Sequence, residues 1–314
     1  MAKQGGLGAR FLVGGYDISG DVSAVDSITG AQGLLDSTDI TQSAHSRIIG
    51  LRDGSMGFTV FMDPANAHPI LSALPTADTL MSFLAPPLAI GNPSACLVAK
   101  QVNYDPTRGN DGALLMKVEG QGNAYGLEWG VQLTPGLRTD TTATNGTALD
   151  GGGGFASPSV PASATPVTNT SSLPATVVVT GGTVSNVSVN GVTVGTGDGT
   201  YTVPPGQSVT LTYSAAPTWT WTLQTAAGAQ AYLQLTGFAG TSVTVAVQDS
   251  ADNSTFTAVT GLTFTAVTAA PAWQRLATAG NATLRRYVRV ATSGTFSSAT
   301  FAVVLDRNLA PTAF

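Results

Sequence analysis

The stretch from Ala175 to Tyr213 constrains this chain most. It reads as short runs of Val and Thr, Ala175 to Thr180, Val184 to Val194, Gly199 to Val203 and Ser208 to Tyr213, cut by Gly-Gly, Asn-Gly and Pro-Pro-Gly. Runs of four to eight β-branched residues closed by such dipeptides form strands joined by tight turns, and Asn190-Gly191 is a strong two-residue hairpin signal. A small β-sandwich is the architecture that buries one face of each such strand. The same grammar continues downstream in Ala231 to Phe238, Ser242 to Gln248, Phe256 to Val259, Leu262 to Val267, Leu284 to Ala291 and Ala299 to Leu305. So many antiparallel strands predict a second sandwich, of jelly-roll type. No segment repeats at a fixed period, which excludes a solenoid.

The first 140 residues differ. They hold most of the charge and all five methionines, whereas no Lys or Arg lies between Arg138 and Arg275. Phe11 to Val13 runs into a Gly14-Gly15 turn, and Val22 to Ile28 resumes an extended pattern. Gly30 to Arg52 is polar and lacks a period of 2 or 3.6, so it reads as a long loop, of the kind that is functional or orders on docking. Phe58 to Met62 is a strand, and Asn66 to Ala73 is the one helix candidate, with Asp63 or Asn66 available as a cap and Pro69 tolerated near its start. Strands follow at about 79–84, 95–104, 113–119 and 127–133. The alternation from Leu114 to Glu119 predicts a sheet with one wet face. Gly151 to Gly154 and the Pro/Ser/Ala/Thr-rich segment to Pro174 read as a flexible connector.

Composition limits the function. Only 10% of the residues are charged, yet 43% are hydrophobic, so the chain folds rather than remaining disordered. A net charge of −5 argues against gripping phosphates, which needs clustered Lys and Arg. The Met1 to Gly6 start lacks a signal-peptide core and no apolar run approaches a membrane span, so the expectation is synthesis in a cytoplasm. Asn-x-Ser/Thr triplets such as Asn186-Val187-Ser188 are then chance occurrences.

Candidate chemistry is sparse. One cysteine, Cys96, and two histidines, His45 and His68, fall short of a zinc site or a nucleophile with its base, so no catalytic, cofactor or metal residues are expected. Cys96 reads as a small core residue. Asp249 to Asn253 is either an oxygen-rich cation loop or an ordinary hairpin turn, and the turn is the simpler reading. Trp219 and Trp221, two apart in a strand, share a face and serve either core packing or sugar stacking. Arg285, Arg286 and Arg289 are the only basic cluster, suited to a solvated face or an inter-domain ion pair.

Tyr16-Asp17-Ile18-Ser19-Gly20-Asp21-Val22, the stretch through Thr38-Asp39-Ile40, and Gly54-Ser55-Met56-Gly57-Phe58-Thr59-Val60 resemble the tail-tube (major tail) proteins of long-tailed, non-contractile bacteriophages. The resemblance covers residues 1–140 and implies a β-barrel-like sandwich with one flanking helix, assembling with itself into hexameric rings that stack into a tube. It implies a virion location, tape-measure and terminator proteins as tail partners, and DNA passing through the lumen without specific binding. The inter-ring contact would then fall on Asp36, Thr38, Asp39, Ile40, Arg47 and Arg52. Among the acids of this zone, Glu119 and Glu128 are the candidates to face the lumen, where a negative wall would not retard a polyanion, or else they are solvated outer-face charges.

Thr141 to Asp150, Ala231 to Leu235 and Val243 to Phe256 resemble a discoidin-like sandwich often appended to phage tail proteins. Residues 151–222 would then be an Ig-like module inserted into a discontinuous domain of residues 141–150 and 223–314; three consecutive domains is the alternative. The fold expected is all-β throughout, with two outer sandwiches decorating the tube. The competing function is a capsid-decoration or surface protein whose modules hold host glycans through Trp219 and Trp221.

Overall fold

The computed structural model describes residues 5–74, 76–109, 112–152 and 155–309. Part of the glycine connector, Gly153 and Gly154, lies outside them. The protein is all-β with one short helix, and its strands fall into three cores.

The first unit contains β1 (Arg10–Val13), β2 (Tyr16–Asp17), β3 (Val22–Asp36), β4 (Arg47–Phe61), α1 (Ala67–Leu71), β5 (Thr79–Leu84), β6 (Pro93–Arg108), β7 (Leu114–Gly122) and β8 (Glu128–Gln132). Antiparallel pairing runs β3-β4-β7-β6-β5-β1-β2, with β8 on the other side of β6 near its start. Alternation along β7 turns Met116, Val118 and Gly120 inward and leaves Lys117 and Glu119 in solvent. The inward residues close on Phe11, Phe58, Val60, Met81 and Leu97, with α1 contributing Ala67 and Leu71. The helix spans five residues, shorter than the apolar side from Ile70 to Leu74 predicts. Leu74 adopts φ +43° and leaves the helix, while Asp63 Oδ1 accepts the Ala65 N–H at the entrance, and the Asn66 side chain donates to Asp21 instead of capping.

β9 (Arg138–Asp140) and β10 (Leu149–Asp150) pair with the last strand of the chain, residues away from their own neighbours in sequence. Between them and the C-terminal strands lies a compact unit of β11 (Pro166–Thr168), β12 (Ala175–Thr180), β13 (Thr183–Val189), β14 (Val192–Gly195), β15 (Gly199–Val203), β16 (Ser208–Ala215) and β17 (Thr218–Thr225). Two four-stranded sheets face each other here, and β13 turns into β14 through Asn190 (φ +49°) and Gly191 (φ +81°), the paired left-handed conformations that a tight hairpin demands. The sheet containing β12 is completed by a C-terminal strand, β21 (Leu284–Arg285), which pairs with β17.

The C-terminal strands are β18 (Ala229–Ser250), β19 (Thr257–Thr263), β20 (Ala272–Ala277), β21 (Leu284–Arg285) and β22 (Tyr287–Arg307). β18 and β22 run antiparallel along almost their whole length and bend together. At the bend Gly240 and Gly294 hold φ of +150° and +116°, and a Cβ on either would lie 2.4 Å from the facing strand's backbone, so only glycine permits the close approach. Their inward residues, including Leu233, Val245, Val290 and Phe301, make the third core.

These units are not beads on a string. β22 also pairs with β8 (Val304 opposite Gln132, Leu305 opposite Val131), so one sheet runs continuously from the first unit into the C-terminal sandwich. The seam has its own apolar cluster: Leu12, Leu80, Leu84, Cys96 and Val98 from one side, Tyr232, Ala302 and Val304 from the other. Each Leu or Val among them contributes roughly 1.5–3 kcal/mol by leaving water. Substituting Leu12→Ala is expected to lower unfolding free energy by about 2–5 kcal/mol, measured by urea titration, with tryptophan fluorescence and far-UV circular dichroism falling together because the seam joins both units.

Candidate functional site

Two features carry the functional argument: a long arm built from β3 and β4, and the joint at its foot.

The segment expected to be a loop is a β-hairpin. β3 and β4 are 15 residues each and pair from Val22 opposite Val60 out to Asp36 opposite Arg47. Only Ser55 to Phe61 of β4 also pair with β7, so the outer half has no third strand and projects by roughly 25 Å at the usual rise per residue. The alternation was invisible in the sequence because neither face of the arm is buried: Leu34 opposes Ile49 and Leu35 opposes Ile48 on opposite faces, and all four are in solvent with Ile40 and Leu51. Without a wet and a dry side there is no period of two to read.

The tip is ordered by its own short polar residues. Asp36 Oδ1 accepts the Thr38 N–H at 2.9 Å and the Thr38 hydroxyl, and Asp36 Oδ2 lies 3.1 Å from His45 Nδ1. Asp39 repeats the motif with Thr41. These hydrogen bonds, led by those from the Thr38 and Thr41 hydroxyls, hold both carboxyls below their ordinary value. Asp36, Thr38, Asp39, Ile40 and Arg47 therefore gather at the outer end of the arm, while Arg52 sits at its foot, beside Gly126.

Glu128 is a correction. Its side chain is 1% exposed and faces neither solvent nor an open channel, because β8 buries it against the C-terminal sandwich. Arg275 of β20 meets it with Nη2 at 3.0 and 3.3 Å from the two carboxylate oxygens. The guanidinium stacks at 3.7 Å on Tyr125 and its Nε donates to the Tyr232 hydroxyl at 3.3 Å. Burial pushes the Glu128 carboxyl up and Arg275 opposes that shift. Glu119, in contrast, stands exposed on β7.

Beside this ion pair, Gln234 of β18 is almost fully buried and its side chain bonds to the first unit. Its Oε1 accepts the Gly15 N–H at 2.6 Å, and its Nε2 donates to the Leu80 carbonyl at 2.8 Å and the Ser82 hydroxyl at 3.1 Å. Gly15, at φ +86°, approaches β20 so closely that a Cβ would lie 2.5 Å from the Ala272 nitrogen. Sequence reasoning passed over Arg275, Gln234 and Gly15. A signal existed for Gln234, an amide inside the apolar run Ala231 to Leu235.

The remaining candidates serve structure. Trp221 is buried in the middle unit and Trp219 half-buried, their rings 5.4 Å apart and edge-on at 81°, with Trp219 Nε1 donating to the Pro158 carbonyl. Edge-on, core-packed rings offer no flat platform to a sugar, so the stacking role is withdrawn. Arg286 forms a two-pronged pair with Asp150 at 2.7 and 2.9 Å and also reaches the Phe155 carbonyl, pinning the connector. Asp249 accepts the Arg285 N–H, and Asp252 accepts the Ser254 and Thr255 N–H groups and the Ser250 hydroxyl, which takes its carboxyl down to about 2. Both acids are thus engaged in the turn. Cys96 is fully buried and its thiol is pushed up to about 12 by burial, so it is no nucleophile at neutral pH. Among the described residues no group of three or more His, Cys, Asp or Glu is placed to hold a metal ion, and no helix is long and apolar enough to cross a membrane.

No family model matches the chain, and no curated protein matches it. Among solved structures it is similar to the crystal structure of the SPP1 Dit protein (gp 19.1), titled a paradigm of the hub adsorption apparatus in phages that infect Gram-positive bacteria. That likeness spans 95% of this chain and 98% of the other, at 9% identity and a TM-score of 0.27, too loose to carry an assignment.

Breaking the buried pair leaves one charge without its counterion. Arg275→Met is expected to cost about 3–5 kcal/mol at pH 7, whereas the double variant Arg275→Met/Glu128→Leu recovers most of that loss in urea unfolding. Trp221→Ala should destabilise the middle unit by about 3–5 kcal/mol, seen as an earlier unfolding step in calorimetry.

Proposed function

We propose that this chain is the tail-tube subunit of a long-tailed, non-contractile bacteriophage, assembling with itself into stacked hexameric rings. The observation that carries the reading is the arm. A two-stranded ribbon on its own is marginal in water, and here one projects with large aliphatic side chains on both faces and two unpaired strand edges. Proteins normally blunt such edges with charge, proline or cover. An uncovered one is suited to a partner that supplies both apolar contact and backbone hydrogen bonds. Another copy of the chain is the partner that the tail-tube resemblance of residues 1–140 supplies.

The other parts take their places around this. The first unit builds the tube wall, with Glu119 a candidate for the lumen and Glu128 excluded from it by its pairing. DNA passes without being bound, tape-measure and terminator proteins meet the assembled tube, and the two sandwich units decorate its outside. The nearly uncharged middle unit, with its aromatic rings turned into its own core, adds no argument for a host glycan.

Leu35→Asp/Ile48→Asp changes only solvent-exposed positions, so the isolated subunit should unfold within about 0.5 kcal/mol of the parent. Negative-stain microscopy is expected to find rings and tubes in concentrated parent protein and none in the variant. Monomers alone for the parent under every assembly condition, with no rings in the virion, would refute the proposal.

A further inference from the structure

The joint holds a second carboxyl, Asp306 of β22, for which the assembly reading has no use. β18 presents Gln230, Tyr232 and Gln234 on one face by strand alternation; Tyr232 lies in the seam cluster, and Gln234 bonds across it. Gln230 is the third in line. It is buried, and its Oε1 has no hydrogen-bond partner. Its cross-strand partner on β22 is Asp306, and directly paired antiparallel residues carry their side chains on the same face about 5 Å apart. A buried acceptor without a donor calls for an explanation, and the neighbouring carboxylate, when ionised, is itself only an acceptor.

We infer that Asp306 and Gln230 form a proton-operated latch on the seam: a proton taken from solvent by the Asp306 carboxylate is shared with Gln230 Oε1 in an O–H···O hydrogen bond, and the seam tightens.

The groups facing Asp306 agree with this. β8 brings Glu128, β20 brings Arg275, β4 brings Arg52 from the foot of the arm, and β6 brings the buried, uncharged Cys96. Arg275 is already engaged by both oxygens of Glu128 and by Tyr125, and Arg52 is exposed. Burial first, and then the Glu128 charge, push the Asp306 carboxyl up to about 6. An acid raised in the closed state holds a proton that the opened seam releases, so closure strengthens as pH falls through 6 towards 4 and weakens as pH rises above 6.

Cys96 supplies the readout, because it is the only cysteine and lies inside the seam cluster. The experiment measures labelling of the full chain by a neutral aromatic disulfide, divided at each pH by the rate for the urea-unfolded chain. Parent protein should be about tenfold better protected at pH 5 than at pH 7.5, the ratio that a shift from the ordinary value to about 6 gives across that window. Asp306→Asn keeps an N–H donor for Gln230 without a charge, so it should be as well protected at pH 7.5 as the parent is at pH 5, with less pH dependence than the parent, what is left belonging to Glu128. The isosteric Asp306→Leu, lacking a donor, should show the same reduced pH dependence yet remain less protected than Asp306→Asn. Equal protection of the parent at both pH values, or a pH dependence in Asp306→Asn as large as the parent's, would overturn the latch. Leu protecting as well as Asn would overturn the hydrogen bond to Gln230. None of these outcomes depends on whether the chain forms tubes.

Discussion

Gln234 is the interaction on which the arrangement of this protein depends. One buried amide on β18 satisfies the Gly15 N–H of the β1–β2 turn and gives the Leu80 carbonyl of β5, which already accepts the Gly14 N–H, a second donor. A polar group taken out of water without a partner costs about 1–3 kcal/mol, so each unit is incomplete at this face until the other is docked. The Glu128–Arg275 pair imposes the same condition with charges. Apolar burial along the seam supplies the driving force; these polar contacts allow one register of docking and no other.

That docking explains how an arm can exist. β3 and β4 are steadied at their base by β7 and by the packed core beneath Met56, Phe58 and Val60. A rigid foot lets the outer half remain an ordered ribbon, while its tip is kept in shape by the carboxylates of Asp36 and Asp39. Arg52 stands where the foot meets the seam, close enough to feel Glu128 and Asp306. The foot of the proposed assembly arm and the joint between units thus share one electrostatic neighbourhood.

What could be read in advance follows from burial. β7, with one wet and one dry face, declared itself by alternation, β12 by its β-branched run closed by Gly181-Gly182, and Asn190-Gly191 marked its hairpin through the backbone conformation that it needs. The arm did not, because exposure on both faces erases the pattern, and a stretch that looked like a 23-residue loop proved to be two strands and a turn. Glu128 misled for a related reason. Charge on a strand predicts solvent only when no second domain covers that strand, and the residue that covers it, Arg275, lies 147 positions away.

The all-β class, the strand-rich C-terminal half and the scarcity of His and Cys were determined by the amino-acid sequence alone, since propensity, turn chemistry and residue counts are local properties. The tertiary structure decided which charges are buried, which amide holds two units together, and that the polar segment after Ile28 extends as an arm. Those outcomes depend on contacts between residues far apart in the chain, and local pattern carries no record of them.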